Sequence, residues 1–321
     1  MTMNNTNDTE WDLYKYQWTV QFLFYKVYIW VLVGVGVPGN VACILVATSM
    51  TLTTATLYMS LLAVADLLAL VLRLISHQIY LYKVTLNTFV CKVDVFVDLV
   101  SSYANWTLVL VCLERFLSIR FPLKKKIYFT KHRAILIAVL LGMILCLCHL
   151  YEFIQIDHIQ ERSCYYPESS LDFVTNYWHW IKACIYYFLP FILLLIFPCL
   201  IIVSLRRQRK AREAMVRTTP VTSRETTQTR VEVTLSVMVV WDAIVVIVTF
   251  APMCLYYLLV PFNVVNEWFT STMLTHTAVA LSEANYAVDF VIYFAASKKF
   301  RSRFKKLIGK CLTCRRRRDK E

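Results

Sequence analysis

The chain has 321 residues, 58% of them hydrophobic, 14% aromatic and only 17% charged, with a formal net charge of +13. That balance excludes an ordinary soluble domain, in which about a quarter of residues are charged. No Gly/Ser-rich or Pro-rich linker and no internal repeat divides the chain, so it reads as one polytopic, all-α membrane domain.

Residues 1–21 read as a polar tail, and no signal peptide precedes them, so the first span is expected to insert as its own signal. Two sequons, Asn4-Asn5-Thr6 and Asn7-Asp8-Thr9, make Asn4 and Asn7 glycosylation acceptors usable only on the lumenal side. Crossing about 30 Å of hydrocarbon takes about 20 helical residues. Windows of that kind give seven spans, near 22–48, 57–80, 92–119, 132–154, 179–205, 231–260 and 269–294, within a seven-span domain of residues 22–296. A third sequon, Asn105-Trp106-Thr107, falls inside the third span and is expected to be silent. After the last span, SKKFRSRFKKLIG (297–309) is too short and too basic to cross. Its Phe300, Phe304, Leu307 and Ile308 share one face, which predicts an amphipathic helix on the membrane surface, leading into a basic tail that ends at residue 321.

Charge sets the orientation. Lys and Arg number 7 from Arg115 to Arg133, 8 from Arg206 to Arg230 and 12 from Lys298 onward, most of the 34 in the chain. The positive-inside rule makes those segments cytoplasmic and the N-terminus extracellular, in the plasma membrane. The same topology accounts for the net positive charge without nucleic acid as a partner, and membrane lipids account for Lys124, Lys125 and Lys126 as lipid-facing charges.

The 11 cysteines are too scattered for a disulfide scaffold, and most lie in spans as small apolar residues. Cys91 opens the third span and Cys164 lies in the loop HIQERSCYYPES, both on the oxidising side, so a bridge between them is expected. Cys311 and Cys314, just past the amphipathic helix, are candidate palmitoylation sites. A zinc pair is the rival reading there, but no second Cys/His pair lies nearby to complete four ligands, and no metal site is expected.

Seven spans alone leave the class open, and the motifs decide it by their order. GVPGN (36–40) lies in the first span, LAVADLL (62–68) in the second and LERF (113–116) at the end of the third. FLPF (188–191) follows in the fifth, FAP (250–252) in the sixth, and NYAVDFVIY (285–293) in the seventh, with Phe300 seven residues on. The sequence resembles the class A, rhodopsin-like G-protein-coupled receptors over about residues 22–310. The resemblance implies a non-enzymatic receptor in which Glu114 pairs with Arg115 at rest, and Arg115 turns to a heterotrimeric G protein on activation, with Tyr293 part of the same switch. Physically, a guanidinium at the edge of hydrocarbon is costly unless paired, so the pair stabilises one helix arrangement and its loss favours another. The resemblance further implies a polar cavity of Asn40, Asp66, Asn285 and Asp289 able to hold a sodium ion. Two carboxylates there either share a cation or keep one proton, because like charges disfavour ionisation. No other cofactor is implied.

Departures from the family pattern are Phe250 where a Trp is usual, Gly142 near the place of the fourth-span Trp, and Asp289-Phe290-Val291-Ile292-Tyr293 in place of NPxxY. Pro198 stands where a fifth-span Tyr is usual and should kink the helix, and Cys91 is one residue closer to Arg115 than is common.

Intramembrane charges mark function by default. Arg73 and His77 in the second span, Asp98 in the third and Glu283 in the seventh are expected to border a ligand cavity. Tyr257, His276 and Phe250 are expected beside them, within an aromatic rim that also includes Tyr80, Tyr82, Trp178, Trp180 and Tyr256. Arg73 paired with Asp98 or Glu283 for neutrality is an equally good reading. Residues 269–294 contain no Lys, which excludes a retinal Schiff base. Asp98 could meet an amine, but the fifth span offers no Ser or Thr hydroxyl near Pro190. Long aromatic loops and the segment ERSCYYPES favour a peptide ligand, and LERF followed by FPLKKK is most like invertebrate neuropeptide receptors. A seven-span transporter is disfavoured, since five glycines leave little for broken, repeated helices. Finally, Thr218, Thr219, Thr222, Ser223, Thr226, Thr227 and Thr229 form a hydroxyl-rich, flexible-looking third inner loop whose phosphorylation would dock arrestin, whereas the tail offers only Ser302 and Thr313.

Overall fold

The computed structural model describes residues 4–82, 88–160, 163–216, 223–262 and 267–318. Among them seven helices are long and apolar enough to cross a membrane: Asp12–Thr48, Thr54–Leu81, Thr88–Arg120, Lys131–Gln155, Glu168–Ala211, Val233–Leu259 and Phe269–Ala296. Several run past their expected ends. The first helix starts at Asn4, so what reads as a polar tail is helical nearly throughout; no Gly or Pro occurs before Gly34 to stop it. Asn4 and Asn7 fall in its opening turns. The fifth starts at Glu168, directly after Pro167, and its last helical stretch continues through Pro198 to Val216. The sixth starts at Ser223, which places Ser223, Thr226, Thr227 and Thr229 in a helix instead of a flexible loop. Thr218, Thr219 and Thr222 lie outside the described residues. The surface helix spans Lys298–Arg318 and includes Cys311 and Cys314. Ser297 caps it, its Oγ accepting the Phe300 N–H at 3.1 Å.

The third span is the hub. It packs against the second, fourth, fifth and sixth, and 61% of its apolar window is buried against 22% for the fourth, which lies at the edge. The first span packs on the second and seventh, and its glycines explain how closely. A Cβ on Gly36 would lie 2.4 Å from Leu70 Cδ1 and 2.9 Å from Ala287 Cβ, and one on Gly39 would lie 2.9 Å from Phe290 Cβ. Small residues let helix backbones approach where lipid supplies no hydrophobic drive for association.

Proline chemistry shapes the fifth span. It carries two wide π turns, Val174–Trp178 and Cys184–Phe188. Pro190 has no N–H to offer the Ile185 carbonyl five residues back, and Trp106 Nε1 of the third span donates to that oxygen at 3.0 Å. Between the fourth and fifth spans, β1 (Asp157–Gln160) and β2 (Ser163–Tyr165) form an antiparallel hairpin with His158 opposite Cys164. Cys164 is disulfide-bonded to Cys91, which fixes the hairpin over one end of the bundle.

Candidate functional site

Beneath the hairpin, five charged side chains from five spans meet. Arg73 Nε lies 2.9 Å from Glu283 Oε1 and its Nη2 lies 3.3 Å from Asp98 Oδ1. Lys182 of the fifth span reaches Asp98 Oδ2 at 3.2 Å and Glu152 Oε1 at 2.6 Å. Two cations therefore serve three carboxylates, and each carboxylate lies on a different helix, which ties the second, third, fourth, fifth and seventh spans together. Just past β2, the Tyr166 hydroxyl donates to Glu152 Oε1 at 2.9 Å; burial and then the neighbouring Glu152 carboxylate hold its pKa above the usual tyrosine value.

A cavity of about 190 Å³ adjoins this network, with Arg73, Asp98, Phe250, Tyr257 and Glu283 in its wall. Tyr187 completes the aromatic side, stacked on Tyr257 at 4.3 Å and set 5.5 Å from Phe250. His77 and His276 lie elsewhere, which corrects the expectation for both. His77 stacks on Tyr25 at 4.1 Å with Nε2 2.7 Å from the Tyr25 carbonyl, and His276 sits 5.1 Å from the same ring. The unbroken first helix presents Tyr25 between the second and seventh spans and occupies the side these histidines face. The aromatic rim is likewise partial: Trp178 packs on Tyr151 at 4.8 Å, and Tyr80 donates to Asp94, which also accepts from Ser76 at 2.5 Å.

Midway through the bundle, Asn40, Asp66, Asn285 and Asp289 are all buried. Asn40 Nδ2 donates to the Tyr286 carbonyl at 2.8 Å, and Asn285 Nδ2 donates to Asn105 Oδ1 at 3.4 Å, so the third sequon's Asn faces the protein interior. Asp289 lies beside Asp66 on one side and beside Asp242 of the sixth span on the other, so three carboxyls are buried close together. Like charges that close disfavour full ionisation of all three. Tyr293 extends the cluster, its hydroxyl donating to Asp242 Oδ2 at 3.2 Å.

At the opposite end from the hairpin, Glu114 is fully buried and its carboxylate accepts from four side chains, one of them Ser118 Oγ at 3.3 Å. Arg115 Nε lies 2.5 Å from Oε2, while Lys125 Nζ at 3.0 Å and Thr54 Oγ1 at 2.6 Å share Oε1. Lys125 is thus a specific partner and not a lipid-facing charge. The short helix Pro122–Tyr128 turns it back onto the third span, while Lys124 lies over the Phe121 ring at 5.9 Å. Thr54 opens the second span behind a capping box of Thr53 and Thr56, so a helix start is fastened to the third span's acid.

The sequence from 39 to 293 matches the model of the 7 transmembrane receptor (rhodopsin family). The chain belongs to that family. It is a multi-pass membrane receptor and not an enzyme. It is also 26% identical to a probable G-protein coupled receptor of Caenorhabditis elegans over 293 residues, which are 84% of this chain but only 66% of that relative.

Sequence reasoning about this receptor missed Asp242, Lys182, Glu152 and Lys125. Asp242 interrupts the apolar run SVMVVWDAIVV, the same signal that singled out Asp66, and Lys182 interrupts HWIKACI in the same way. Glu152 looks like an ordinary span end. Nothing in three consecutive lysines distinguishes Lys125, since the turn geometry alone selects it.

Proposed function

We propose that this receptor sits in the plasma membrane with its N-terminus outside, binds an extracellular peptide beneath the hairpin, and activates a heterotrimeric G protein at the basic end. The observation that carries the reading is the Glu114–Arg115 pair, buried at the end of the third span where the Lys- and Arg-rich segments gather. Breaking a buried pair by removing one partner costs about 3–5 kcal/mol, so whatever separates the two side chains must gain as much elsewhere. A bound ligand at one end and a G protein at the other are the sources of that energy.

A specific observation favours a peptide over an amine. Asp98, the acid an amine would seek, is already held by Arg73 and Lys182. The cavity is small for a whole ligand, at about 190 Å³ against roughly 300–1,000 Å³ for typical small-molecule sites, which suits the insertion of one peptide residue while the remainder lies on the hairpin. A sodium ion in the middle of the bundle fits the buried Asn40 Oδ1 and Asn285 Oδ1, which accept no hydrogen bond from a described residue. Such an ion would be held by those oxygens with Asp66 and Asp289, and would supply only charge compensation there.

The test is guanine-nucleotide exchange in membranes expressing the chain, with and without a neuropeptide library. Glu114→Gln should raise ligand-independent exchange several-fold, and Arg115→Ala should abolish coupling while leaving peptide binding intact. Equal basal exchange in wild type and Glu114→Gln at matched surface expression rejects the switch. For shut-off, replacing the seven hydroxyls between Thr218 and Thr229 by Ala should slow agonist-driven arrestin recruitment; unchanged recruitment removes that loop from the account.

A further inference from the structure

A second cavity lies at the other end of the bundle from the proposed ligand site. About 530 Å³ in volume, it lies where the inner ends of the first, second, sixth and seventh spans meet the start of the surface helix. Its walls are mostly apolar. Cys43 and Val46 of the first span and Leu235 and Met238 of the sixth face it, with Met50 and Met59 on the remaining sides. Methionines fill irregular space adaptably and accept varied apolar contacts. The polar atoms in the wall are largely engaged: Thr56 Oγ1 donates to the Thr51 carbonyl at 3.1 Å, and Ser297 Oγ accepts from Phe300. Lys298 is the cation at the rim. It is exposed, and it also belongs to a second, shallow depression formed with Arg301, Ser302, Lys305 and Lys306. An apolar slot thus opens beside a patch of four cations on the helix that follows the seventh span, whose Phe300 and Phe304 pack back onto Phe290 and Phe294.

We propose that this cavity binds one acyl chain of an anionic, phosphate-headed lipid, with the chain between Met50, Met59 and Met238 and the phosphate on Lys298, Lys305 and Lys306. Charge complementarity selects the occupant. A neutral or zwitterionic lipid would gain the apolar contacts and leave the cations unmatched, whereas basic pockets between spans at the cytoplasmic face recruit anionic headgroups. Arg301 is the least available of the four, since its Nη1 already donates to the Phe294 and Ala295 carbonyls at 2.8 and 2.6 Å. A chain in the slot would touch Leu235 and Met238 on one side and Cys43 and Val46 on the other, and would hold the sixth span in the arrangement described here.

The experiment uses the full-length receptor in detergent with an oleoyl lysophosphatidate carrying a diazirine in its chain, and the lysophosphatidylcholine of the same chain as comparison. Cross-links should map to Cys43, Val46, Met59, Leu235 and Met238, with half-maximal labelling at a concentration on the order of tenfold lower for the phosphate lipid. Ala47→Phe and, from the opposite wall, Met59→Trp should each abolish labelling, so failure of one variant to fold leaves the other. Replacing Lys298, Lys305 and Lys306 together by Gln should erase the tenfold preference but keep the labelled positions. Labelling confined to Val41 and Leu45, which are exposed on the outer face of the first span, or labelling unchanged by either cavity-filling variant, overturns the proposal.

Discussion

A single side chain can reveal the protonation of a site when its substitutions separate charge from shape, and Asp242 is such a residue. It is fully buried, accepts from Tyr293 and lies beside Asp289. If Asp242 carries no charge beside its two neighbouring acids, a neutral amide in its place keeps an acceptor for Tyr293. Asp242→Asn should therefore change thermal inactivation of the purified receptor little. Asp242→Leu strands the buried Tyr293 hydroxyl, at a cost of about 1–3 kcal/mol, and should inactivate at clearly lower temperature. Equal loss in both variants would mean that Asp242 is charged. Lys125 teaches a related lesson. Its neighbour Lys124 has the same side chain, yet the backward turn of Pro122–Tyr128 brings Lys125 to buried Glu114 and leaves Lys124 over the Phe121 ring.

Helix by helix, most of the architecture was legible, because hydrocarbon imposes one length and one secondary structure on every crossing. The errors were at ends and faces. The fifth span begins at Glu168, well before the apolar window centred on Pro190, since polar residues extend a helix beyond the membrane without a hydropathy signal. The same limit hid the early start of the first helix. The packing of His77 and His276 on Tyr25, inside the expected first span, was hidden because hydropathy does not say which face of a span meets which neighbour. Arg73, Asp98 and Glu283 were legible as a group because charge inside a span is rare; which carboxylate Arg73 would choose was not, and it takes both. Glycines give this scale its own test. Gly36→Ala brings a Cβ within 2.4 Å of Leu70 and 3.0 Å of the Ala287 Cα, so the seventh-span backbone must move. Overpacking of that kind costs about 1–3 kcal/mol. Gly34, two residues earlier, has open space around its missing Cβ, and Gly34→Ala should be neutral or stabilising by up to about 1 kcal/mol through helix propensity. Surface expression and thermal inactivation of the two variants should diverge; similar behaviour would show that the first span does not rely on close approach at Gly36.

Across the whole molecule, the hairpin and the Glu114–Arg115 pair lie at opposite ends of the third span, with Cys91 near its start and the ion pair near its finish. Under the proposed function, one helix carries the tether of the ligand end and the latch of the output end. The two functions are separable if the disulfide serves reception and the ion pair serves output. Cys91→Ser with Cys164→Ser frees the hairpin but leaves every contact of Glu114 in place, so peptide-stimulated exchange should fall to the basal level. Adding Glu114→Gln releases Arg115 without help from the hairpin, and the triple variant should regain ligand-independent exchange comparable with Glu114→Gln alone while still ignoring peptide. Guanine-nucleotide exchange at matched surface expression, measured with and without peptide for all three variants, decides the matter. If the triple variant is silent although it reaches the surface, the disulfide is needed to hold the third span itself in register, and the two ends cannot be treated as independent modules.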